Sequence, residues 1–462
     1  MILMAFILLL WGANPADRVS ERQQAVSNAA LPGTLSLSET IDLALTRNVL
    51  HQSVLLKRDE VKGGIKEARS AAFPQVTLKG SYSQTRSPSM LNSKDFENFI
   101  EQFPDGSFNP QVQPLHLLTL EVHQPLFTWG KVKSAIQLAE IVADIAEYQI
   151  QASKLNTAHK AASDYFLYQT TLEALRVEEQ QREVLAKALE LVQVRFELGQ
   201  ATRLEVLRAE SACAELEPQV LQRQSDVSLA KRTLLRTLNL PSHTDLKLDD
   251  TLFDFPELPP LRHFKALALK NRPELREMER QKSSLEKQSQ IENSVGKPNL
   301  EFNGSFGREG LYIDRLGKDR YNSWSASVNM SWKVFDGGNR NGKVARLKSQ
   351  VDQTELQRIN IVSEIEYQVE QAWLVYQTSL EKLTASELGV RVSKEALSVA
   401  ESNYREGISV QTDWLDAQQI ARKAKLDLLI TQLNTKQAQF NLLRAIGNMP
   451  LQSWQTPLGD SK

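Results

Sequence analysis

The chain has 462 residues, 41% hydrophobic and 24% charged, with 55 Lys and Arg against 56 Asp and Glu and a single cysteine, Cys213. The near-neutral balance gives no electrostatic pull on a polyanion, so no nucleic acid is expected as a partner. One cysteine excludes an intramolecular disulfide and any multi-cysteine metal site, and the length by itself points to two or three globular domains.

In chain order, the first ten residues, Met1 to Leu10, are an unbroken apolar run closed by Trp11-Gly12-Ala13-Asn14-Pro15-Ala16. The run is about half the roughly 20 residues of a spanning helix. It reads as the hydrophobic part of a signal peptide over residues 1–16, although no Lys or Arg precedes it. A linker over 17–37 follows.

The chain then repeats itself. Leu43-Ala44-Leu45-Thr46-Arg47-Asn48 recurs as Leu267-Ala268-Leu269-Lys270-Asn271-Arg272, and Phe73-Pro74-Gln75-Val76 to Tyr82 falls on Lys297-Pro298-Asn299-Leu300 to Phe306 at the same offset. Further on the offset shortens: Phe127-Thr128-Trp129-Gly130 matches Phe335-Asp336-Gly337-Gly338, and Arg195-Phe196-Glu197-Leu198-Gly199 matches Asn403-Tyr404-Arg405-Glu406-Gly407. The change places an insertion of about 16 residues between the strands of the first copy. Repeat 1 covers 38–240 and repeat 2 covers 263–447, with a Pro-rich linker at 241–262 and a tail at 448–462.

Each copy has one internal order. A helical stretch (about 38–71 and 263–294) leads into a Pro-marked strand (75–85 and 299–307), a polar loop and a second strand (117–127 and 323–333). A Gly turn then starts a very long helix (131–197 and 339–405), and a Gly tip reverses the chain into a shorter one (202–239 and 410–446). The longer loop, about 86–115, carries Pro88, Pro104, Pro110 and Pro114 with Phe96, Phe99, Phe103 and Phe108, and is expected outside the cell.

All four strands alternate, most plainly in the last, where Trp324, Ala326, Val328, Met330 and Trp332 interleave with Ser323, Ser325, Ser327, Asn329 and Ser331. Such a strand suits lipid outside and a polar lumen inside, with aromatic girdles. Four strands do not close a barrel, and a bilayer tolerates no bare sheet edge, so several chains have to share one barrel. The long helices, at about 1.5 Å per residue, reach roughly 100 Å, too long for a compact domain. Val132, Ile136, Ala139, Ala143, Ala146 and Ile150 form a heptad seam along the first, with a second stripe beside it from Leu138 to Leu155.

These features closely resemble the TolC-type outer-membrane efflux proteins: two copies of strand, strand, Gly-started long helix and Gly tip, with Gln124-Pro125-Leu126-Phe127-Thr128-Trp129-Gly130 and the tip segment Tyr404-Arg405-Glu406-Gly407 through Asp413-Trp414-Leu415-Asp416-Ala417. The resemblance implies a mostly α fold with a membrane β-barrel contribution. A homotrimer would share a 12-stranded outer-membrane barrel, four strands per chain, continued by a periplasmic α-helical barrel. It further implies an exit duct of an efflux or type I secretion system that docks on a periplasmic adaptor (membrane fusion) protein and, through it, on an inner-membrane pump.

By the same resemblance Asp413 and Asp416 line a periplasmic gate, as three-fold rings of carboxylates that attract cations. Tyr404 and Glu205 fall where a tyrosine hydroxyl and a carboxylate tie the second hairpin to the first. Ser409 stands where the family's best-known gate carries an arginine, so either closure is looser or Arg203 or Arg208 supplies the charge from a neighbouring hairpin. Arg195, Gly199 and Gly407 are expected at the adaptor-docking tips.

The six histidines show no ligand spacing, and no catalytic or phosphate-loop motif is present. A passive conduit without enzymatic activity, cofactor or metal is therefore expected. The alternative is a soluble periplasmic coiled-coil scaffold or adaptor, which accounts for the helices but not for the alternating strands.

Overall fold

The computed structural model describes residues 34–85, 113–249, 259–310 and 322–450. The signal segment, most of the 86–115 loop and most of the C-terminal tail lie outside the described residues. The elements are α1 (Leu37–Arg47), α2 (Val49–Leu55), α3 (Lys57–Ser70), β1 (Gln75–Thr85), β2 (Gln113–Phe127), α4 (Lys131–Glu197), α5 (Arg203–Thr237), α6 (Leu261–Asn271), α7 (Pro273–Val295), β3 (Asn299–Gly310), β4 (Asn322–Ser331), α8 (Asn339–Arg405) and α9 (Gln411–Ala445). The two copies match in length, with 67 residues in each of α4 and α8 and 35 in each of α5 and α9.

The first helical stretch of each copy is broken where the sequence suggested a continuous helix. Asn48 leaves the helical region at ψ 118° and caps α2 by accepting from the His51 amide. In the second copy Arg272 likewise leaves the helical region at ψ 118°, because the ring of Pro273 excludes the α conformation for the residue before it. Strand β2 starts at Gln113, four residues earlier than the alternation suggested, and its register slips between Pro125 and Phe127, where a proline lacks the ladder N–H.

The chain divides into two compact units, one comprising Arg58–Ala146 and Glu277–Gln357, the other Met1–Lys57, Glu147–Arg276 and Arg358–Lys462. The first holds an antiparallel sheet in the order β1-β2-β3-β4. On one face Val76, Leu78, Tyr82, Leu118, Leu120, Phe306, Trp324, Val328 and Met330 are exposed. The other face is laced across strands by Lys79–Glu121 (2.7 Å), His123–Asn303 (2.8 Å) and Ser305–Ser325 (2.8 Å). Gly307 lets β3 approach β2 closely, since a Cβ there would sit 2.6 Å from the Leu118 carbonyl oxygen and 2.8 Å from Thr119 Oγ1. At the foot of the sheet the indoles of Trp129 and Trp332 donate to the carbonyls of Pro298 and Gly296, at 2.7 and 3.1 Å.

The second unit carries the hydrophobic core, built on Tyr165, Phe166, Leu234, Leu235, Phe264, Tyr376, Leu442, Leu443 and Ile446. Ala158, Ala161 and Ala162 are fully buried, the small side chains that let α4 pack closely. The linker between the copies takes part: Leu35 pairs with Leu248 in a parallel bridge, and Tyr165 Oη donates to the Asp249 carbonyl at 2.9 Å. Cys213 is half-buried, packed beside Leu185, Leu216 and Val220.

His159 is buried with Nε2 against the Asn448 carbonyl at 2.7 Å and Nδ1 without a partner. Burial pushes the imidazole down to about 4. The unfolded chain therefore takes up the proton first. The stabilisation is full above about pH 6.5 and is lost as pH falls toward 4, by about 3 kcal/mol at most. Thermal unfolding followed from pH 7.5 to 4.5 should show this loss, and His159→Gln should flatten the pH dependence. An unchanged slope would remove the assignment.

Candidate functional site

The two Gly tips lie in the helical unit. Gly199 and Gly407 both adopt φ +75°, the left-handed conformation that ends α4 and α8 and that L side chains avoid. Backbone bonds close each reversal, from Gln200 N to Arg195 O at 2.7 Å and from Ile408 N to Asn403 O at 2.8 Å. The helices that leave the tips start differently. Thr202 caps α5 in a capping box with Glu205, whereas Val410 precedes α9 with no side-chain cap.

That box engages the Glu205 carboxylate at the start of α5. Its carboxylate accepts from the Thr202 amide at 2.6 Å and from the Thr202 hydroxyl at 3.1 Å, the local partners nearest to hand. The bond between hairpins comes instead from its backbone, whose carbonyl accepts from Gln411 Nε2 at 3.0 Å.

Tyr404 is buried, with the charges of Arg195 and Glu205 acting on its hydroxyl; burial raises its pKa. The ring is held by stacking on Trp414, with centroids 5.0 Å apart and planes inclined by 15°. The Arg195 guanidinium lies over the same ring at 5.1 Å from its centroid. Arg195 thus packs on the second hairpin. The cation over Tyr404 is Arg195. Trp414 and Gln411 were missed from sequence because an aromatic or amide in the first turn of a helix carries no signature of its own. Leu198 and Ile408, 66% and 69% exposed beside the tip glycines, were overlooked for the same reason.

Asp413 and Asp416 are both exposed on the first turns of α9 and hold no side-chain hydrogen bond among the described residues. Asp413 lines a groove against α8 with Glu395, Val399, Asn403 and Ser409. Asp416 lines another, of about 340 Å³, with Arg208 and Glu215 of α5. The i, i+3 spacing leaves them adjacent but turned toward different helices.

No helix among the described residues is long and apolar enough to cross a membrane, and no group of three or more His, Cys, Asp or Glu among them is placed to hold a metal. An antiparallel sheet with an apolar face and two bare edges, joined to such helices, defines a subunit of an outer-membrane export channel. The chain belongs to the outer membrane efflux protein family, whose profile it matches over residues 40–240 and 266–448. It is 21% identical over 430 residues to nodulation protein T of Rhizobium leguminosarum bv. trifolii, covering 91% of this chain and 86% of that one. It is 21% identical over 399 residues to the alkaline protease secretion protein AprF of Pseudomonas aeruginosa, covering 85% and 80%. Among solved structures, VceC of Vibrio cholerae superposes with a TM-score of 0.73 at 17% identity, covering 89% of this chain and 96% of that one. The open-state MtrE channel of Neisseria gonorrhoeae superposes at 0.75 with 20% identity, covering 91% of each. The protein is an outer-membrane channel that extends into the periplasm and serves as an exit duct, which sets aside the soluble scaffold.

Proposed function

We propose that three copies of this chain share one 12-stranded barrel, and that the duct is passive, with no enzymatic activity of its own. The observation that carries this is the open sheet, whose edge strands β1 and β4 leave ladder groups unpaired beside an apolar outer face. Copies of the same chain offer the complementary edge, β1 of one to β4 of the next. Outer-membrane lipid then covers the Trp324 to Met330 face.

At the periplasmic end, Asp413 and Asp416 become two rings of three carboxylates and form an acidic throat. Tyr404, stacked on Trp414 under Arg195, fixes the second hairpin, and the backbone of Glu205 joins it to the first. The tips at Arg195, Gly199 and Gly407, with exposed Leu198 and Ile408, dock on a periplasmic adaptor, and through it on an inner-membrane pump that supplies the energy. Relatives named as efflux-pump and protease-secretion components support these partners.

A photocrosslinking side chain placed at Leu198 or Ile408 in living cells should give an adduct with an adaptor protein, identified by mass spectrometry. The same probe at Tyr367, exposed on α8, should join only copies of this chain. Absence of adaptor adducts at both tips would overturn the docking assignment.

A further inference from the structure

The apolar face of the sheet ends at its foot in a cluster of indoles and cations. Phe127 pairs with Leu300 and Leu300 with Met330, so these three side chains lie on the face that carries Trp324 and Val328. The register slip between Pro125 and Phe127 turns Phe127, rather than Leu126, onto that face. Trp129 packs edge-on against Phe127, with ring centroids 5.0 Å apart, and Lys297 places Nζ 5.0 Å from the centroid of the same indole. On the other side the Trp332 indole donates to the Gly296 carbonyl at 3.1 Å. The Arg340 guanidinium fits against Gly296 so closely that a Cβ there would lie 1.8 Å from Nη1. Two indoles and two cations therefore surround one turn, 296–298, at the border of the apolar face.

Partners within the chain do not account for the charge at this border. The stretches 127–134, 295–298 and 332–343 hold six Lys and Arg against one acid, Asp336. Asp336 offsets part of the charge of Arg340 and Lys333, and its carboxylate accepts from the amides of Gly338 and Arg340 at 3.0 and 2.9 Å. Lys343 pairs with Glu292 at 3.3 Å. Lys131, Lys133 and Lys297 are exposed and make no ion pair among the described residues. Lys131 and Lys133 open α4 and Arg340 opens α8, and neither helix has an acid in its first turn, although the helix dipole favours acids there and disfavours cations. Helix stability is not the reason for these cations, so an anion from outside the chain is.

Position decides which anion. Indoles at the end of a lipid-facing strand mark the level of the headgroups. The long helices that begin here extend into the periplasm, so this border meets the periplasmic leaflet, where the anions at that depth are lipid phosphates. An ammonium held against a ring on one side keeps N–H groups for a phosphate on another, and a guanidinium offers two donors side by side.

We propose that Lys297 and Arg340, framed by Trp129 and Trp332, bind the phosphodiester of an anionic phospholipid of the periplasmic leaflet, with Lys131 and Lys133 adding attraction nearby. Aromatic girdles belong to membrane barrels in general, whereas this basic notch is a feature of this chain. The proposal rests on the reading that lipid covers the Trp324 to Met330 face.

The test is native mass spectrometry of the purified, heat-stable assembly in micelles carrying equal amounts of dioleoyl phosphatidylglycerol and dioleoyl phosphatidylcholine. The wild type should retain the anionic lipid over the zwitterionic one by at least about 10-fold, and Lys297→Gln with Arg340→Gln should bring the ratio within about 2-fold of parity. Gly296→Ala keeps both cations but displaces the guanidinium, and should lower the preference several-fold. Arg176→Gln with Lys187→Gln removes the same charge from exposed positions far along α4 and should leave the preference unchanged. Equal retention of the two lipids by the wild type, an undiminished preference in either site variant, or an equal loss in the charge-matched control would overturn the site. So would displacement of the phosphatidylglycerol by equimolar lipid A, the phosphate-bearing lipid of the opposite leaflet. If the assembly retains no lipid of any kind, the placement of the apolar face in the membrane falls with it.

Discussion

Val328→Arg is expected to abolish assembly in the outer membrane. Val328 lies in the middle of β4, opposite Phe302 of β3, and is exposed on the apolar face. A cationic side chain facing lipid at the bilayer midplane costs about 2–4 kcal/mol, and a three-fold assembly incurs it three times, roughly 6–12 kcal/mol in all. That is comparable to the whole stability of an ordinary domain. Ser327→Arg, one residue away, places the same charge on the opposite face, where Ser327 lies near the Asn303 carbonyl at 3.4 Å. It should assemble, because a polar lumen solvates the guanidinium. Membrane fractionation and heat-stable oligomers on gels distinguish the two. Equal recovery of both variants would refute the assignment of faces.

The double substitution Asp413→Ala with Asp416→Ala should lower the cation preference of the channel several-fold. On the proposed reading each aspartate becomes a three-fold ring of carboxylates at the periplasmic end, and rings of this kind select cations. Because the two carboxylates turn toward different grooves, the single variants should have unequal effects, which reversal-potential measurements under a salt gradient would resolve. Asp413 does not act as a side-chain cap, since α9 starts at Val410 without one; its removal should therefore cost little stability. Unchanged selectivity in the double variant would remove the aspartates from the gate.

Most of the architecture was legible before any coordinates. The repeat was visible because two copies of one fold need the same breakers and turn residues at the same places. The boundaries of α4 and α8 follow from their flanking glycines, which supply the left-handed turns on which those helices begin and end. Strand alternation in β4 revealed two faces of opposite chemistry. The break at Arg272 was legible in principle from Pro273, and that at Asn48 was not, since its capping role depends on which backbone it meets.

The site was less legible. Glu205 and Tyr404 were found by resemblance, but the residues that engage them within the chain were not. A carboxylate three residues after a threonine satisfies the helix start locally, and a ring is held by whichever aromatic and cation pack on it. Arg195 and Trp414 are far apart in sequence from one another, and no spacing rule links them. The ion pair of buried Glu178 on α4 with Arg422 on α9, at 2.9 Å, was invisible for the same reason, as a Glu within a charged run reads as a solvated face.

By itself, then, the sequence determined the duplicated order of elements, the helix lengths, the two faces of each strand and the inability of four strands to close. All of these rest on periodicity and on turn residues, which act over a few positions along the chain. Only the tertiary structure decided which charges are buried, which polar atoms go without partners and which helix each tip residue faces. Those depend on contacts between segments up to hundreds of residues apart, where burial rather than local propensity sets the outcome.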